Sequence, residues 1–216
     1  MQHDNEWISI GDLMGGLVAV LMLLFVAAVM QSLAAKQQVS GWDAQQWADL
    51  RGILSQIDDE VKANTGLGKF VEVDIRAGKI TLKDDSFERS SGCLPRNTRV
   101  LINNWELRIR GFLLSDGRRR VFIEGHTDSA PVQRAVTDCE KHCGCYDDNY
   151  TLSTVRAREA RRELIKTWPL EVAKRVAVSG YGADRPLPQT AEMDGKNRRV
   201  ELRFIWESTV HRTAGR

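Results

Sequence analysis

An uncharged apolar run near the N-terminus restricts the fold of this chain more than any other feature. The 18 residues from Leu13 to Met30 contain no charged side chain. In a helix they rise about 27 Å, close to the roughly 30 Å hydrocarbon thickness of a bilayer. The run therefore predicts one transmembrane helix over residues 13–35, preceded by a short segment of residues 1–12.

A cleaved signal peptide is the alternative explanation of this run. Ser32, Leu33 and Ala34 resemble a cleavage site. However, the run exceeds the roughly 7–15-residue apolar region of a signal peptide. Residues 1–12 also lack the Lys or Arg that normally precedes such a region. Both departures favour a retained membrane helix.

Asp12 stands at the start of the predicted membrane helix, shortly after Trp7, a residue type that favours the membrane interface. A carboxylate about one turn inside the hydrocarbon costs roughly 2.5–3.5 kcal/mol, so such residues usually have a function. The alternative is that Asp12 caps the helix at the level of the lipid headgroups. The residues alone leave both roles open.

The composition argues against two classes of function. Lys and Arg number 31 and Asp and Glu number 29, which gives a formal net charge of +2. This balance offers no electrostatic basis for nucleic-acid binding. No nucleophile and base stand in a recognisable catalytic motif, so the sequence predicts neither an enzyme nor a bound cofactor.

Hydrophobic periodicity divides the rest of the chain into a helical linker and a domain. Apolar residues from Trp42 to Val61 recur at three- and four-residue steps, which predicts a helical linker over residues 36–68. Short apolar and alternating segments predict strands at 70–75, 79–82, 120–124, 175–179 and 199–205, and helices at 98–114 and 152–168. This alternation predicts an α/β fold over residues 69–207, with one mixed sheet and helices on one face, followed by a tail of residues 208–216.

Three motifs occur at predicted strand ends and helix starts. Gly125–Asp128 follows a strand, Asn149–Ala157 opens a helix, and Gly180–Gly182 is followed by Asn197–Val200. Together they resemble the OmpA-like peptidoglycan-binding domain, over roughly residues 70–206 of this chain. The connection between the first two motifs is longer than is usual in that family and carries three cysteines.

The resemblance implies a site for the peptide stem of peptidoglycan, whose diaminopimelate carries both an ammonium and a carboxylate. An Arg can bind a carboxylate with two hydrogen bonds, and an Asp can pair with an ammonium. Asp128 and Arg156 match the ligand-gripping pair of the family, and Asn149 stands at the expected helix N-cap. Thr127, Leu152 and Arg198 are further candidates. The alternative is that these residues cap a helix and form an internal ion pair.

The same resemblance implies a compartment and an orientation. Domains of this kind work in the periplasm, so the N-terminus is expected in the cytoplasm and the chain after residue 36 in the periplasm. An even number of cysteines in an oxidising compartment predicts disulfides, with the pairing left open. The candidates are Cys93, Cys139, Cys143 and Cys145.

Zinc binding is the alternative role for these cysteines. Cys139, Cys143 and Cys145 lie near two histidines, His126 and His142. Zinc sites usually combine two close pairs of ligands, and the second pair is missing here. The sequence therefore favours disulfides and predicts no metal, with His126 as a hydrogen-bonded residue of the scaffold.

The N-terminus adds a second resemblance. A single helix with Asp12 near its cytoplasmic end, a linker helix and an OmpA-like domain resemble the MotB-type subunits of ion-driven motors. The segment from Trp7 to Leu17 is most similar to ZorB subunits of the Zorya anti-phage defence system. This implies a homodimer inside a ring of multi-span A-type subunits, with Asp12 carrying protons and peptidoglycan as the fixed anchor.

Two other functions stay open for this architecture. One is a flagellar-type stator subunit, and the other is a passive tether between membrane and cell wall without ion flow. An acid in the membrane helix favours a motor over a tether, because a tether has no use for it. The linker helix is expected either to plug a channel before activation or to form a simple dimer stalk.

Overall fold

The computed structural model describes residues 3–64, 66–88 and 91–207, with side chains for residues 16–18 and 20–31 and from residue 47 onward. The chain divides into two compact units, Met1–Ala48 and Asp49–Arg216. The predicted tail of residues 208–216 and the side chain of Asp12 lie outside the described part of the protein.

The first helix, α1, runs from His3 to Ala63. It includes the segment 13–35 that the sequence predicts to span a membrane. Among the residues that the structure describes, no helix has the combination of length and apolarity needed to cross a bilayer. The large apolar side chains described between Leu17 and Met30 are 41–71% exposed.

The last part of α1 belongs to the C-terminal unit. Leu50, Leu54, Ile57 and Val61 lie on one helical face and are at most 7% exposed. The apolar stripe of the sequence is thus helical and buried within this chain. The compact unit begins at Asp49 rather than near residue 69, because these side chains contribute to its core.

Five strands form one mixed sheet in the order β1-β2-β5-β3-β4. Strands β3 and β4 are parallel, and the other neighbours are antiparallel. The sequence prediction of a mixed sheet of five strands is confirmed. The strand bounds are β1 Val71–Asp74, β2 Lys79–Leu82, β3 Arg119–His126, β4 Val176–Gly180 and β5 Arg199–Trp206.

Three further helices complete the unit: α2 Arg96–Ser115, α3 Asn149–Leu164 and α4 Leu170–Ala173. Helix α3 begins three residues earlier than predicted because Asp148 and Thr151 form a capping box at its N-terminus. It also ends earlier, at Leu164, and Pro169 is the N-cap of α4 instead of the end of α3. Three short 3-10 turns lie at Leu67–Lys69, Asp84–Ser86 and Gly195–Asn197.

The core lies between the helices and one face of the sheet. Alternate residues of β3 and β5 point into it, as the two-residue period of a strand requires. The ring of Phe112 on α2 packs edge-on against Phe204 on β5, with ring centres 5.2 Å apart. Fully buried side chains of this core are Trp105, Ile109, Leu113, Val121, Ile123 and Val200.

Candidate functional site

The start of α3 packs directly against the ends of β3 and β4. Gly125 forms the last pair of β3 with β4, and a side chain there would collide with the backbone of Ser153. A side chain at Gly180, at the end of β4, would likewise collide with Thr154. Both motif glycines therefore permit a close approach of helix and sheet, which brings the segments after β3 and at the start of α3 together.

Four charged side chains form a connected network beside this junction. Nη1 of Arg198 lies 2.6 Å from the Asp128 carboxylate, and Nη2 of Arg198 lies 2.9 Å from Asp84. Asp84 also pairs with Nη1 of Arg156, at 3.3 Å. We call Asp84, Asp128, Arg156 and Arg198 the four-charge network, in which acids and bases alternate.

Arg156 is the buried end of the network, with its side chain only 4% exposed. Its Nε donates to the carbonyl of Ser91, and the guanidinium lies 5.1 Å from the ring centre of Phe87. Burial lowers the pKa of Arg156 from its ordinary value, and the nearby Asp84 carboxylate opposes that shift. Within the described part of the chain, Nη2 of Arg156 has no hydrogen-bond partner, so one donor stays available.

The middle of the network is open to solvent. The side chains of Arg198 and Asp84 are 37% and 33% exposed, whereas that of Asp128 is 9% exposed. Arg198 and Asp84 line a cavity of about 490 Å³, to which Lys83, Asp85 and Lys196 also contribute. Arg156 does not line this cavity and is linked to it through Asp84.

Asp128 and Arg156, the predicted ligand-gripping pair, both lie beside this junction, and their role in binding stays a prediction. Both residues lie in one network, but no ion pair joins them among the described residues, since Asp128 pairs with Arg198 and Arg156 with Asp84. Asp128 and Arg156 therefore also do not form the direct internal ion pair that was the alternative explanation. Arg198, expected only as a further candidate, is the cation at the centre.

Asn149 braces the site and does not cap the helix. The N-cap of α3 is Asp148, whose carboxylate accepts from the backbone N–H of Thr151 at 2.7 Å. The side-chain amide of Asn149 donates to the carbonyls of Asp128 and Ala130, at 3.2 and 3.0 Å. It therefore fixes the backbone that carries the Asp128 carboxylate.

The two remaining candidates make no polar contact with the network. The backbone N–H of Thr127 donates to the carbonyl of Gly182, and its buried hydroxyl has no partner among the described residues. Leu152 is half-buried in the first turn of α3, where its N–H donates to the carbonyl of Asp148. Both help to shape the junction without touching the charged groups.

Asp84 is the residue that the sequence analysis missed. It follows β2, whose Leu82 pairs with Val200 of β5 in an antiparallel register. Extending that register by two residues in each strand places Asp84 beside Arg198. The signal is present in the sequence only once the pairing of β2 with β5 is known, because more than 110 residues separate the two strands.

The four candidate cysteines form two disulfides. Cys93 is bonded to Cys143 with a Cα–Cα distance of 5.1 Å, and Cys139 to Cys145 with a distance of 4.6 Å. The sequence predicted disulfides and left this pairing open. With the thiols bonded to one another, they are not available as zinc ligands.

His126 differs from its predicted role as a hydrogen-bonded scaffold residue. It is 2% exposed, and neither ring nitrogen has a hydrogen-bond partner among the described residues. Its ring stacks on that of Tyr181, with centres 5.5 Å apart. Burial, followed by repulsion from Arg199, lowers its pKa from 6.5 to about 4. His126 is therefore a buried neutral side chain at neutral pH.

Two buried carboxylates lie close enough to His126 to suggest a metal site. The ligand atoms of Glu124, His126 and Glu201 are all within 4.8 Å of one another. However, Glu201 accepts from Lys79 and Arg199, and Glu124 pairs with Arg203. Positive side chains already neutralise both acids, and the same cations would repel a metal ion. The cluster is a set of buried ion pairs on the sheet.

The family follows from residues 87–199, which match the model of the OmpA family. This chain belongs to the OmpA family. The match covers more than half of the sequence and includes Asp128, Arg156 and Arg198, whereas Asp84 precedes it. The sequence resemblance to OmpA-like domains is thereby confirmed.

Relatives of the OmpA-family chain include one motility protein. Motility protein B of Bacillus subtilis (strain 168) is 32% identical over 128 residues, which cover 58% of this chain and 44% of that protein. The chain thus aligns with less than half the length of this relative. The chain is similar to a MotB-type protein over these residues, while membership of the MotB-type or ZorB group stays a prediction.

Solved structures support the same fold. The cell wall anchor of the T6SS from Pseudomonas aeruginosa superposes with a TM-score of 0.50 at 26% identity, covering 72% of this chain and 97% of that one. A MotB-like protein from Desulfovibrio vulgaris has a TM-score of 0.53 at 16% identity, covering 76% and 98%. The first of these proteins is named as a cell wall anchor, and the likeness to the second shows the fold alone.

Proposed function

We propose that the C-terminal unit binds peptidoglycan at the four-charge network, by recognising diaminopimelate in the stem peptide. That residue presents an ammonium and a carboxylate a few bonds apart. A site for it needs a cation and an anion at matching separation, with a donor left for the second carboxylate oxygen. Arg198 supplies the cation, and Asp84 supplies the anion.

The alternation of acids and bases at the cavity is the observation that carries this proposal. Arg198 is exposed enough to turn one edge of its guanidinium toward a ligand carboxylate. Asp84 and Asp128 then accept hydrogen bonds from the ligand ammonium. Arg156 lies behind them, and its Nη2 provides a further donor to a ligand that enters deeply.

The similarity to a solved structure also supports a role at the cell wall. The Pseudomonas aeruginosa protein that shares this fold is named as a cell wall anchor. It is matched over almost its whole length and at 26% identity. We extend that role to this chain because the four-charge network offers the chemistry that such an anchor needs.

The test is co-sedimentation of the full chain with purified peptidoglycan that contains diaminopimelate. We expect Arg198→Ala to weaken binding by about tenfold or more, because one charge-assisted contact contributes roughly 1.5–3 kcal/mol. Arg203→Ala is the matched control, since Arg203 lies on β5, five residues after Arg198, is 48% exposed and, among the described residues, forms an ion pair with Glu124 alone.

Free meso-diaminopimelate should release the wild-type protein from the pellet. Equal binding by the Arg198→Ala and Arg203→Ala variants, both folded, would exclude the four-charge network as the binding site. Absence of wild-type binding would exclude peptidoglycan recognition as a whole.

We further propose that this anchor serves a proton-driven motor of the inner membrane for anti-phage defence. Residues 13–35 would span the membrane, and two copies would sit inside a ring of multi-span A-type subunits. The uncharged run from Leu13 to Met30, whose described large apolar side chains are exposed, supports a membrane location. Asp12 would take up and release the proton, with about 2.3 kcal/mol available per 100 mV.

Two alternatives are each favoured by one observation. The relative named Motility protein B, at 32% identity, favours a flagellar-type stator. The likeness to a cell wall anchor of a secretion system favours a passive tether without ion flow. The three functions share the peptidoglycan site and differ in whether Asp12 carries protons and in what the motor drives.

Asp12→Asn distinguishes these functions, because Asn keeps the size and part of the capping ability of Asp but cannot carry a proton. For the defence motor, we expect loss of phage resistance with normal membrane insertion, measured by plaque counts and membrane fractionation. Full resistance in the variant contradicts the proton role. A loss of swimming instead of resistance identifies the flagellar-type stator.

A further inference from the structure

Most of the contacts that hold Arg156 come from one connection between β2 and α2. This 84–95 connection, described at residues 84–88 and 91–95, contributes the carboxylate of Asp84, the ring of Phe87 and the carbonyl of Ser91. Because Arg156 itself projects from α3, its guanidinium is placed by a segment that is remote in sequence. The position of this connection therefore decides where the guanidinium lies.

A covalent bond joins the 84–95 connection to the long connection between β3 and α3, residues 127–148, which we call the insertion. Cys93 is bonded to Cys143, at a separation of 50 residues. Next to this bond, the N–H of Gly92 and the hydroxyl of Ser91 both donate to the carbonyl of His142, at 3.1 and 3.3 Å. The carbonyl of the same Ser91 accepts from Arg156, so the disulfide and the guanidinium are both attached to the short segment Ser91–Cys93.

The crosslink also lies directly on α3, one residue before Arg156. A side chain at Gly92 or Gly144 would collide with Val155. Arg158 donates to the carbonyl of Cys143 at 2.7 Å, which fixes the insertion to the same helix. Both cysteine-bearing segments are thus pressed against the turn that carries Arg156.

The second disulfide offers a natural contrast. Cys139 and Cys145 are six residues apart and close a loop within the insertion. The single bridge between Val136 and Tyr146 closes the same loop at its base. This bond joins the insertion to itself around His142 and Cys143, and within the described residues its own two cysteines form no hydrogen bond with the 84–95 connection.

We propose that the Cys93–Cys143 disulfide is a positioning crosslink for the peptidoglycan site. It holds the 84–95 connection against α3, so that Asp84 and Arg156 stay in the geometry that receives the ligand. The inference rests on the proposed function, since it concerns the same site. Its specific claim is that ligand affinity depends on this disulfide and not on its neighbour.

The test compares the full chain in detergent with two double variants. We expect Cys93→Ser/Cys143→Ser to bind a diaminopimelate-containing stem tripeptide about tenfold more weakly, a change of about 1.4 kcal/mol. Cys139→Ser/Cys145→Ser is the matched control and should bind within about twofold of wild type. Isothermal titration calorimetry measures all three affinities.

A spectroscopic readout separates positioning from a general loss of stability. The Nε–H resonance of Arg156, assigned through Arg156→Lys, reports its hydrogen bond to Ser91. It should shift or broaden in Cys93→Ser/Cys143→Ser at a temperature where the protein is folded. It should stay unchanged in Cys139→Ser/Cys145→Ser.

Gly92→Ala decides the question if the first double variant does not fold. The added methyl group would meet Val155 and push the 84–95 connection away from α3 with both disulfides intact. Its affinity should then fall by a similar factor. The inference is overturned if Cys93→Ser/Cys143→Ser folds and binds with wild-type affinity. If that variant does not fold, wild-type affinity of Gly92→Ala overturns it instead. Absence of binding by wild type instead overturns the proposed function.

Discussion

At the scale of single residues, the site consists of an exposed half and a buried half. Arg198 and Asp84 face the cavity, while Asp128 and Arg156 are almost fully covered. A buried charge that loses its partner is strongly destabilising, so the buried half supports the fold as well as the ligand. Arg198→Ala also removes the ion-pair partner of the buried Asp128, so the folding of this variant is measured together with its binding.

His126 predicts a pH dependence of stability. Its pKa of about 4 in the folded protein lies below the value of 6.5 expected when the chain is unfolded. Between these values the unfolded chain binds a proton that the folded one does not. The free energy of unfolding should therefore fall by on the order of 3 kcal/mol as the pH decreases from about 6.5 to 4.

Urea unfolding of wild type and His126→Gln across this range measures the effect. The variant should lose most of the slope between pH 6.5 and 4, whatever its absolute stability. A wild-type slope that persists unchanged in His126→Gln would assign the pH dependence to other groups.

The sequence located part of this site for a clear physical reason. Gly125 and Gly180 mark a close approach of backbone segments, Asp128 lies two residues after β3, and Asn149 begins α3. Such local patterns are visible in a single chain. Asp84 lies in a short 3-10 turn, and its contact with Arg198 depends on strand pairing across the whole domain, which no local pattern encodes.

At the scale of elements, the strands were more predictable than the limits of the helices. Alternating burial along β2 and the first half of β3 follows directly from the two-residue period of a strand. The start of α3 was misplaced because the capping box of Asp148 lies before the apolar stripe begins. The disulfide partners were not predictable, because four cysteines allow three pairings and only the fold brings Cys93 to Cys143.

The end of α1 predicts where the C-terminal unit begins. A fragment of residues 69–207 lacks Leu50, Leu54, Ile57 and Val61, which are all buried. Burial of four such side chains contributes on the order of 8 kcal/mol, comparable with the roughly 5–15 kcal/mol stability of a whole domain. We therefore expect this fragment not to fold, whereas a fragment of residues 47–207 should fold.

Circular dichroism and thermal unfolding of the two fragments check this boundary. The shorter fragment should show no cooperative transition and the longer one a single transition. A cooperative transition of equal midpoint in both would mean that the last turns of α1 contribute little to the unit.

At the scale of the whole molecule, the chain joins an apolar N-terminal segment to an OmpA-family domain. The domain carries the four-charge network, and the extra insertion with its two disulfides covers one side of α3. The proposed role as a cell-wall anchor would require rigid binding, because an anchor resists force. The crosslink between the insertion and the 84–95 connection provides such rigidity beside the site.

The most direct test of peptidoglycan recognition changes the ligand and leaves the protein intact. The full chain is titrated with a stem tripeptide that ends in meso-diaminopimelate, and with the same peptide ending in lysine, which lacks the side-chain carboxylate. Because that carboxylate is the group expected to pair with Arg198, the diaminopimelate peptide should bind at least about tenfold more tightly. Equal affinity for the two peptides, or binding of neither, would contradict recognition of diaminopimelate by the four-charge network.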